Sequence, residues 1–430
     1  MKWTSTRNSK ISASFTGAIE KGLAPDGGLF VPESFPKVAA EEMVQFRDLS
    51  FPDLAAIVAK KWLSPEIDEK IVEAKTRAAL NFPLALHRLS KNYSVLELFH
   101  GPSFSFKDFG ARFLAQFLGG EEKKPRVVLT ATSGDTGSAV AHGFYGVPGV
   151  QVVLLYPSGG VSPLQEKQMT TLGENITALE IEGTFDDCQS LVRQAFLDPK
   201  FKDLNLTSAN SINVGRLLPQ SFYYFYAASR MKSAHKLACV VPSGNLGNLT
   251  AGIFAKKMGC PINLFVAATN RNDPLGPFLQ SGQTAPKKAV KTLSNAMDVG
   301  NPSNLERLVF LYEKSHKKMG REIASQSISD EETKGAIKQV CEQYNYLIDP
   351  HTAVGWAAWQ QLQLKDYTSV LFLATAHPAK FSEIVFEATG RHPEIPKALQ
   401  TVMKKKKKSF QLSARYTDFA EWLKLFVWDS

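Results

Sequence analysis

One lysine of the sequence stands among aromatic residues in a segment that could do chemistry. It is Lys107, within the stretch HGPSFSFKDFG that runs from His100 to Gly110. Apolar neighbours such as Phe106 and Phe109 would exclude water from the amine, lower its proton affinity and make it a usable nucleophile. The same pattern is typical of a lysine at a helix start, whose apolar stem is buried while its charge reaches solvent. Read alone, the segment leaves both interpretations open.

A turn of six residues has the composition of an anion-binding site. The apolar run Leu237–Val241 predicts a strand before it, and Leu249–Lys257 predicts a helix after it. Glycines at such a turn let backbone N–H groups converge on an anion, and the helix dipole adds positive charge there. The turn lacks the Lys-Ser or Lys-Thr ending of a nucleotide-binding loop, so a monophosphate is the expected ligand and a plain glycine turn is the alternative. The turn, with its serine and asparagine donors, consists of Ser243, Gly244, Asn245, Leu246, Gly247 and Asn248.

Three further segments offer polar groups at predicted strand ends or helix starts. The turn Thr132–Gly137 places hydroxyls and backbone amides at a helix N-terminus, a combination that suits a carboxylate. The stretch Asn210–Arg216 combines two amides with a guanidinium, which can hold a phosphoryl group through paired hydrogen bonds. Thr375 directly follows the apolar run Ser369–Ala374, so its side chain would reach the crevice at the strand end.

The elements that must position these segments alternate between strands and helices. From about residue 126 onward, short β-branched runs such as Val127–Ala131 precede segments of helical period. This alternation predicts βαβ units and mainly parallel sheets, which bind ligands outside the carboxyl ends of their strands. Residues 1–90 carry helical segments and few strand runs. The stretch Asn270–Pro302 is too long for an ordinary connection, so it is expected to be either a functional or a mobile loop.

The net charge of +9 at pH 7 raises the question of a nucleic-acid partner. The run Lys404–Lys408 contributes five of these charges, and a run of like charge is typical of a solvated loop. Nucleic-acid binding, which requires basic and aromatic residues interleaved on one surface, is therefore not expected. The remaining positive excess would help to attract an anionic substrate.

The four cysteines and the apolar runs exclude several further classes of protein. The cysteines show no Cys-x-x-Cys spacing, so neither a disulfide framework nor a metal site is predicted, and a cytoplasmic location fits best. No apolar run approaches the roughly 20 residues of a membrane-spanning helix. The N-terminus also lacks the apolar stretch of a secretory signal.

Taken together and in this order, the segments resemble the threonine synthase family of fold-type-II pyridoxal-phosphate enzymes, in its longer microbial and fungal branch. The resemblance covers nearly the whole chain, from STR at residues 5–7 and LAPDGGLFVP at residues 23–32 to the segment Thr375–Phe381. It implies an α/β fold of type II, in which pyridoxal 5'-phosphate lies in the cleft between two open parallel-sheet α/β domains. The implied parts are an N-terminal helical subdomain at residues 1–90, a smaller α/β domain at 91–210 with Lys107 and the loop Ser133–Gly137, and a larger α/β domain at 211–430 with the phosphate turn and Thr375.

The resemblance also implies a role for each polar segment. Lys107 would carry the cofactor as a Schiff base, the turn Ser243–Asn248 would surround its phosphate, and Thr375 would approach the ring nitrogen. The family usually has Asp where this chain has Asn248, so the role of this residue stays open. The expected substrate-binding residues are Ser133, Asp135 and Thr136 around the carboxylate and the cofactor ring, and Asn210, Asn213 and Arg216 around the phosphate.

The implied reaction converts O-phospho-L-homoserine and water into L-threonine and phosphate. A related elimination that releases 2-oxobutanoate is the alternative within the same family. An inactive family member that acts as a binding module is a further possibility, and the retained Lys107 argues against it. The expected partner is the small-molecule substrate, without nucleic acid or membrane, and the oligomeric state stays open.

Overall fold

The computed structural model describes residues 1–120, 125–132, 134–202, 204–231, 236–284 and 287–428. Within these residues the strands are, in chain order, β1 (Trp3–Ser5), β2 (Ser12–Ala13), β3 (Phe30–Pro32), β4 (Ala85–Arg88), β5 (Tyr93–Glu97), β6 (Arg126–Ala131), β7 (Val150–Pro157), β8 (Ile176–Glu182), β9 (Asn205–Ser208), β10 (Leu237–Pro242), β11 (Leu264–Thr269), β12 (Ile323–Ser327), β13 (Ser369–Ala374) and β14 (Phe410–Ser413). The α-helices of the same residues are α1 (Phe15–Lys21), α2 (Ala40–Gln45), α3 (Phe51–Leu63), α4 (Glu69–Ala79), α5 (Lys107–Leu118), α6 (Asp135–Phe144), α7 (Pro163–Thr170), α8 (Phe185–Leu197), α9 (Val214–Leu217), α10 (Phe222–Arg230), α11 (Gly247–Met258), α12 (Leu275–Ser281), α13 (Asn304–Leu311), α14 (His316–Gly320), α15 (Asp330–Tyr344), α16 (Pro350–Leu362), α17 (Ser382–Thr389), α18 (Lys397–Lys404) and α19 (Tyr416–Trp428). Short 3-10 helices lie at Pro199–Phe201, Leu218–Ser221, Asn295–Met297 and Pro378–Phe381.

The larger of two parallel sheets has six strands in the order β12-β11-β10-β13-β5-β4. All neighbours in it run parallel except β4, which is antiparallel to β5. The strands β10, β11 and β13 are buried along their whole length. Helices on both faces of a parallel sheet produce such continuous apolar strands, which confirms the α/β prediction.

The second sheet has five parallel strands in the order β14-β8-β7-β6-β9. Its central strand β7 is nearly all buried, and the turn Thr132–Gly137 follows β6 at the carboxyl edge. The helix α7, which crosses from β7 to β8, begins with Ser162 as N-cap and Pro163 in its first turn. Gln165 completes a capping box there, so the sequence specifies the start of this helix closely.

The strand pairing divides the chain differently from the three expected parts. The strand β5, which leads to Lys107, pairs in parallel with β13 and so belongs to the six-stranded sheet. The strand β14, near the C-terminus, pairs with β8 of the other sheet. Both pairings join residues more than two hundred positions apart, which the local pattern of residues does not specify. Residues 1–90 contain the helices α1–α4, as expected, together with the small antiparallel sheet β2-β1-β3.

The lysine run Lys404–Lys408 is only partly the solvated loop that its charge predicts. Lys407 is half-buried, and its Nζ lies 2.6 Å from both Glu166 Oε1 and Glu180 Oε2. Burial alone would lower the pKa of Lys407, but its hydrogen bonds to the two carboxylates outweigh that effect and raise it. The other four lysines of the run are exposed. The prediction is therefore wrong for Lys407, because its acidic partners come from α7 and β8, far away in the sequence.

No helix within the described residues is both long and apolar enough to cross a lipid bilayer.

Candidate active site

Three of the predicted segments follow neighbouring strands of the six-stranded sheet. The turn Ser243–Asn248 follows β10, Thr375 follows β13, and the segment of Lys107 follows β5. Because β10, β13 and β5 are adjacent and parallel, their carboxyl ends bring these segments to one edge of the sheet. Open parallel sheets bind their ligands at this edge. The structure therefore groups residues that are up to 268 positions apart (107 to 375) at a single candidate site.

Backbone hydrogen bonds join the lysine segment directly to the Thr375 segment. The N–H of Phe106 donates to the carbonyl oxygen of Thr375 at 2.9 Å, and the N–H of His377 donates to that of Phe104 at 3.1 Å. Phe104 has φ of 56°, a left-handed conformation that costs energy for a residue other than glycine. The two segments hold it there, and the helix α5 begins directly after them at Lys107.

The amine of Lys107 lies in a partly buried, electrostatically crowded position. Burial lowers its pKa to about 8; the carboxylate of Asp135 opposes this shift, and the cations Lys380 and Arg216 add to it. Its Nζ lies 5.8 Å from the centre of the Phe106 ring. A lysine with this pKa is partly neutral near pH 7, so it can act as a nucleophile or as a proton carrier.

The backbone of the phosphate turn is tightly constrained. Leu246 adopts a left-handed φ of 58° just before α11 begins. A Cβ atom on Gly244 would lie 2.7 Å from the Cα of Met297, so only glycine fits this position. The first N–H groups of α11 have no carbonyl partner within the helix, and such a helix end is a ready site for phosphate.

The asparagine side chains of the turn bond to the protein through three of their four polar atoms. Asn245 donates to Ser211 Oγ at 2.5 Å and accepts from the N–H of Ser303 at 2.6 Å. The Oδ1 atom of Asn248 accepts from the hydroxyls of Tyr223 (2.5 Å) and Tyr224 (2.7 Å). The expectation of a side-chain donor is therefore wrong for Asn245, whereas the buried Nδ2 of Asn248 has no hydrogen-bond partner among the described residues and stays available beside the backbone donors of the turn.

The segment opposite Gly244 is held by a buried histidine. His351 contacts Asp349 Oδ2 through Nδ1 at 2.6 Å, and its Nε2 accepts from the N–H of Ala296 at 3.2 Å. The histidine thus positions the 3-10 helix that packs against Gly244.

The described part of the stretch Asn270–Pro302 has further structure of its own. It contains α12 and a polar network formed by Asn270, Asn272, Thr292, Ser294 and Asp298.

The turn after β6 is built around Thr132. Its Oγ1 accepts from the N–H groups of Gly134 at 3.0 Å and Gly137 at 2.7 Å, and Gly134 has a φ of 136° that side chains rarely adopt. Asp135 begins the helix α6, and Thr136 is partly exposed beside it. Ser133, the third predicted residue of this turn, lies outside the described residues.

Asp135 is paired with a lysine that the sequence did not single out. Lys380 Nζ lies 2.5 Å from Asp135 Oδ1, and both side chains are buried. Burial alone would raise the pKa of Asp135, but the cations of Lys380 and Lys107 outweigh it and hold the pKa well below its usual range. The only sequence signal for Lys380 is its place in the strand-end segment Thr375–Phe381. Neither its burial nor its partner can be read from that segment.

Arg216 is a buried cation whose Nε atom has no hydrogen-bond partner among the described residues. It donates to the carbonyl oxygen of Ala209 through Nη1, and burial lowers its pKa to about 10 while Asp108 opposes the shift. Asn210 is partly exposed nearby in the same stretch. The side chain of Asn213 instead caps α9 and donates to Ile19 O at 2.8 Å and Ser208 O at 3.1 Å. Arg216 therefore has an N–H group left to donate to an anion, whereas the side chain of Asn213 forms its hydrogen bonds within the protein.

These features fit pyridoxal 5'-phosphate. The glycine turn presents its backbone at the N-terminus of α11, and the missing Cβ at Gly244 lets that backbone pack closely against the opposite segment. Lys107 supplies an amine that is partly neutral near pH 7, as a bond to an aldehyde carbon requires. Thr375, buried at the end of β13 between these two, has a hydroxyl of the kind that can meet a ring nitrogen.

Models of three protein families match the chain and together span most of its length. Residues 76–376 match "Pyridoxal-phosphate dependent enzyme", residues 2–80 match "Threonine synthase N terminus", and residues 352–421 match "Threonine synthase, C-terminal".

Among curated proteins, the threonine synthase of Serratia marcescens is 44% identical over 405 residues, which are 93% of this chain and 93% of that protein. The crystal structure of threonine synthase from Escherichia coli superposes with a TM-score of 0.91 at 42% identity and covers 99% of this chain and 100% of its own. The X-ray crystal structure of a pyridoxal-phosphate-bound threonine synthase from Brucella melitensis superposes with a TM-score of 0.92 at 35% identity. The match covers 99% of this chain and 98% of that chain.

Proposed function

The chain belongs to the threonine synthase family of pyridoxal-phosphate-dependent enzymes, and on this premise we propose that it converts O-phospho-L-homoserine and water into L-threonine and phosphate. The observation that carries the proposal is the convergence of Lys107, the phosphate turn and Thr375 at three adjacent strand ends. A phosphorylated aldehyde cofactor requires an amine, an anion cradle and a partner for its ring, and these three segments offer one each.

Few side chains bind the cofactor in the proposed site. Lys107 Nζ would hold the cofactor covalently, and the hydroxyl of Thr375 would lie near its ring nitrogen. A hydroxyl favours protonation of that nitrogen less than a carboxylate would. When bound, the cofactor serves as the electron sink of the reaction. The phosphate would be held mainly by backbone N–H groups of Gly244, Asn245, Leu246, Gly247 and Asn248, since the N–H of Ser243 already donates to the carbonyl oxygen of Ala268 at 2.8 Å.

Lys107 also carries protons in the proposed reaction. A pKa of about 8 would let Nζ, when it is not bound to the cofactor, accept and donate protons near neutral pH. We assign it to proton transfer at the α and β carbons of the substrate. Loss of the γ-phosphate and addition of water at the β carbon complete the conversion.

The proposed substrate contacts divide between the two sheets. The start of α6, with Ser133, Asp135 and Thr136, receives the substrate carboxylate, in which Asp135 takes part through its backbone because its side chain is paired. Arg216 holds the phosphate with Asn210, and Asn213 positions both by capping α9.

We also propose a reducing cytoplasm as the location, since all four cysteines are buried free thiols.

The decisive experiment supplies O-phospho-L-homoserine to the cofactor-loaded enzyme and identifies the product. We expect threonine and phosphate in equal amounts, and no turnover by the matched variant Lys107→Ala. Release of 2-oxobutanoate in place of threonine would assign the chain to the related elimination reaction.

A further inference from the structure

A buried ion pair lies where the proposed function places the carboxylate of the substrate. Lys380 Nζ stands 2.5 Å from Asp135 Oδ1, with the two side chains 0% and 3% exposed. Asp135 is the first residue of α6 and lies within the turn Thr132–Gly137, which is proposed to receive this carboxylate. An uncompensated aspartate beside that position would repel an anionic ligand.

The same lysine joins three segments of the site. Besides its contact with Asp135, Nζ donates to the carbonyl oxygen of Ser103 in the Lys107 segment at 2.9 Å, and Lys380 itself follows Thr375. Two glutamines on one face of α7 donate to the same two acceptors. Gln165 donates to Asp135 Oδ1 at 3.0 Å, and Gln168 donates to Ser103 O at 3.3 Å. The acceptors are thus oriented from two sides, and of these three donors Lys380 is the one with a positive charge.

Lys107 is the other cation that acts on the Asp135 carboxylate, but the proposed function commits its amine to the cofactor. Lys380 is therefore the cation that stays paired with Asp135 whether or not Nζ of Lys107 is bound to the cofactor.

We infer that Lys380 is a positioning residue whose charge neutralises Asp135, so that the start of α6 can accept the carboxylate of the amino-acid substrate. The inference rests on the proposed function for the location of that carboxylate. It predicts a specificity: the site distinguishes an acid from its uncharged amide through Lys380. A purely structural role for the ion pair predicts no such distinction.

The test measures binding of L-2-aminobutyrate and of its carboxamide to the cofactor-loaded enzyme, followed by the change in cofactor absorbance. In Lys380→Met the acid should bind roughly 10- to 100-fold more weakly, as expected for one unscreened charge a few ångströms away. The amide should lose less than about threefold by the same reasoning. The double variant Asp135→Asn/Lys380→Met, which has no charge to compensate, should bring acid binding back to within about threefold of the parent. Lys334→Met, which removes an exposed ion pair, serves as the control.

Equal losses for the acid and the amide in Lys380→Met would overturn the inference, and so would a double variant that binds the acid as weakly as the single one. If Lys380→Met does not fold, the double variant decides alone, and a loss of acid binding beyond about tenfold refutes the idea. A parent enzyme that binds the acid and the amide equally well would also refute it. Neither ligand carries a phosphate or turns over, so a failure of the proposed reaction would appear separately, as absent threonine from phosphohomoserine.

Discussion

The turns Ser243–Asn248 and Thr132–Gly137 begin from the same local pattern and differ in their electrostatics. Each follows a buried parallel strand, contains glycines and starts a helix. The first contains no charged side chain, and its two asparagines bond to the surrounding protein. The second contains Asp135, whose charge is matched by Lys380 from another part of the chain.

On the proposed function, this difference lets one backbone motif bind two different anions. A neutral turn at a helix N-terminus offers its full positive potential to a phosphate. A turn with an acidic residue can accept a carboxylate only where a further cation cancels the acid. The choice of ligand is thus set by residues distant in sequence, and not by the glycine pattern alone.

A negative charge placed in the phosphate cradle should have the largest effect. In Gly244→Asp the new Cβ meets the backbone of Met297, and the carboxylate adds a negative charge to the turn that is proposed to bind the cofactor phosphate. Overpacking and charge repulsion together should cost on the order of 4 kcal/mol, or roughly 1,000-fold in cofactor affinity by absorbance titration. The control is Gly335→Asp, since a Cβ at this exposed glycine meets no atom within 4 Å. Cofactor affinity equal to the parent in Gly244→Asp would place the phosphate elsewhere.

Replacement of the guanidinium should weaken the grip on the substrate and spare the cofactor. Arg216→Lys keeps the charge but loses the planar fork that suits a phosphoryl group. A lost charged hydrogen bond at a buried site costs about 2–3 kcal/mol, or roughly 30- to 150-fold in kcat/KM for phosphohomoserine. The exposed Arg193→Lys in α8 is the matched control. Normal turnover by Arg216→Lys would exclude the phosphate-binding role.

The contrast also shows what the sequence can and cannot predict. The strand ends and the glycine turns follow from local periodicity, and the strand Ser369–Ala374 was predicted with its observed bounds. The partnership of Asp135 with Lys380 could not be predicted, because it joins residues 245 positions apart (135 to 380) and depends on the packing of two sheets. The hydrogen bond from Asn213 Nδ2 to the carbonyl oxygen of Ile19 could not be predicted for a similar reason, since Ile19 lies in another part of the fold.

A negative charge at the end of the phosphate turn should have far less effect than one in its cradle. The Oδ1 atom of Asn248 accepts hydrogen bonds from the hydroxyls of Tyr223 and Tyr224, and a carboxylate oxygen of aspartate could accept the same two bonds. Asn248→Asp should therefore change cofactor affinity by less than about tenfold, against roughly 1,000-fold for Gly244→Asp. The two titrations are run side by side. A loss beyond about 100-fold in Asn248→Asp would show that this side chain approaches the phosphate after all.

The smallest effect is expected from the lysine run, where one residue differs from its neighbours. Lys407→Met removes the cation shared by Glu166 and Glu180 and leaves two carboxylates close together. Because about a third of the lysine side chain is exposed, the unfolding free energy should fall by only about 1 kcal/mol in denaturant titrations. Lys406→Met, at an exposed neighbour, should change it by less than about 0.5 kcal/mol.

Turnover should nevertheless remain within about twofold of the parent in both lysine variants, a difference of less than half a kcal/mol in the barrier. Glu166 lies next to Gln165 on α7, but Asp135 remains fixed by Lys380 when Lys407 is absent. The turn after β6 should therefore keep its geometry and its neutral charge. A selective rise of KM in Lys407→Met, with no change in Lys406→Met, would contradict this and show that α7 transmits the state of the lysine run to the substrate site.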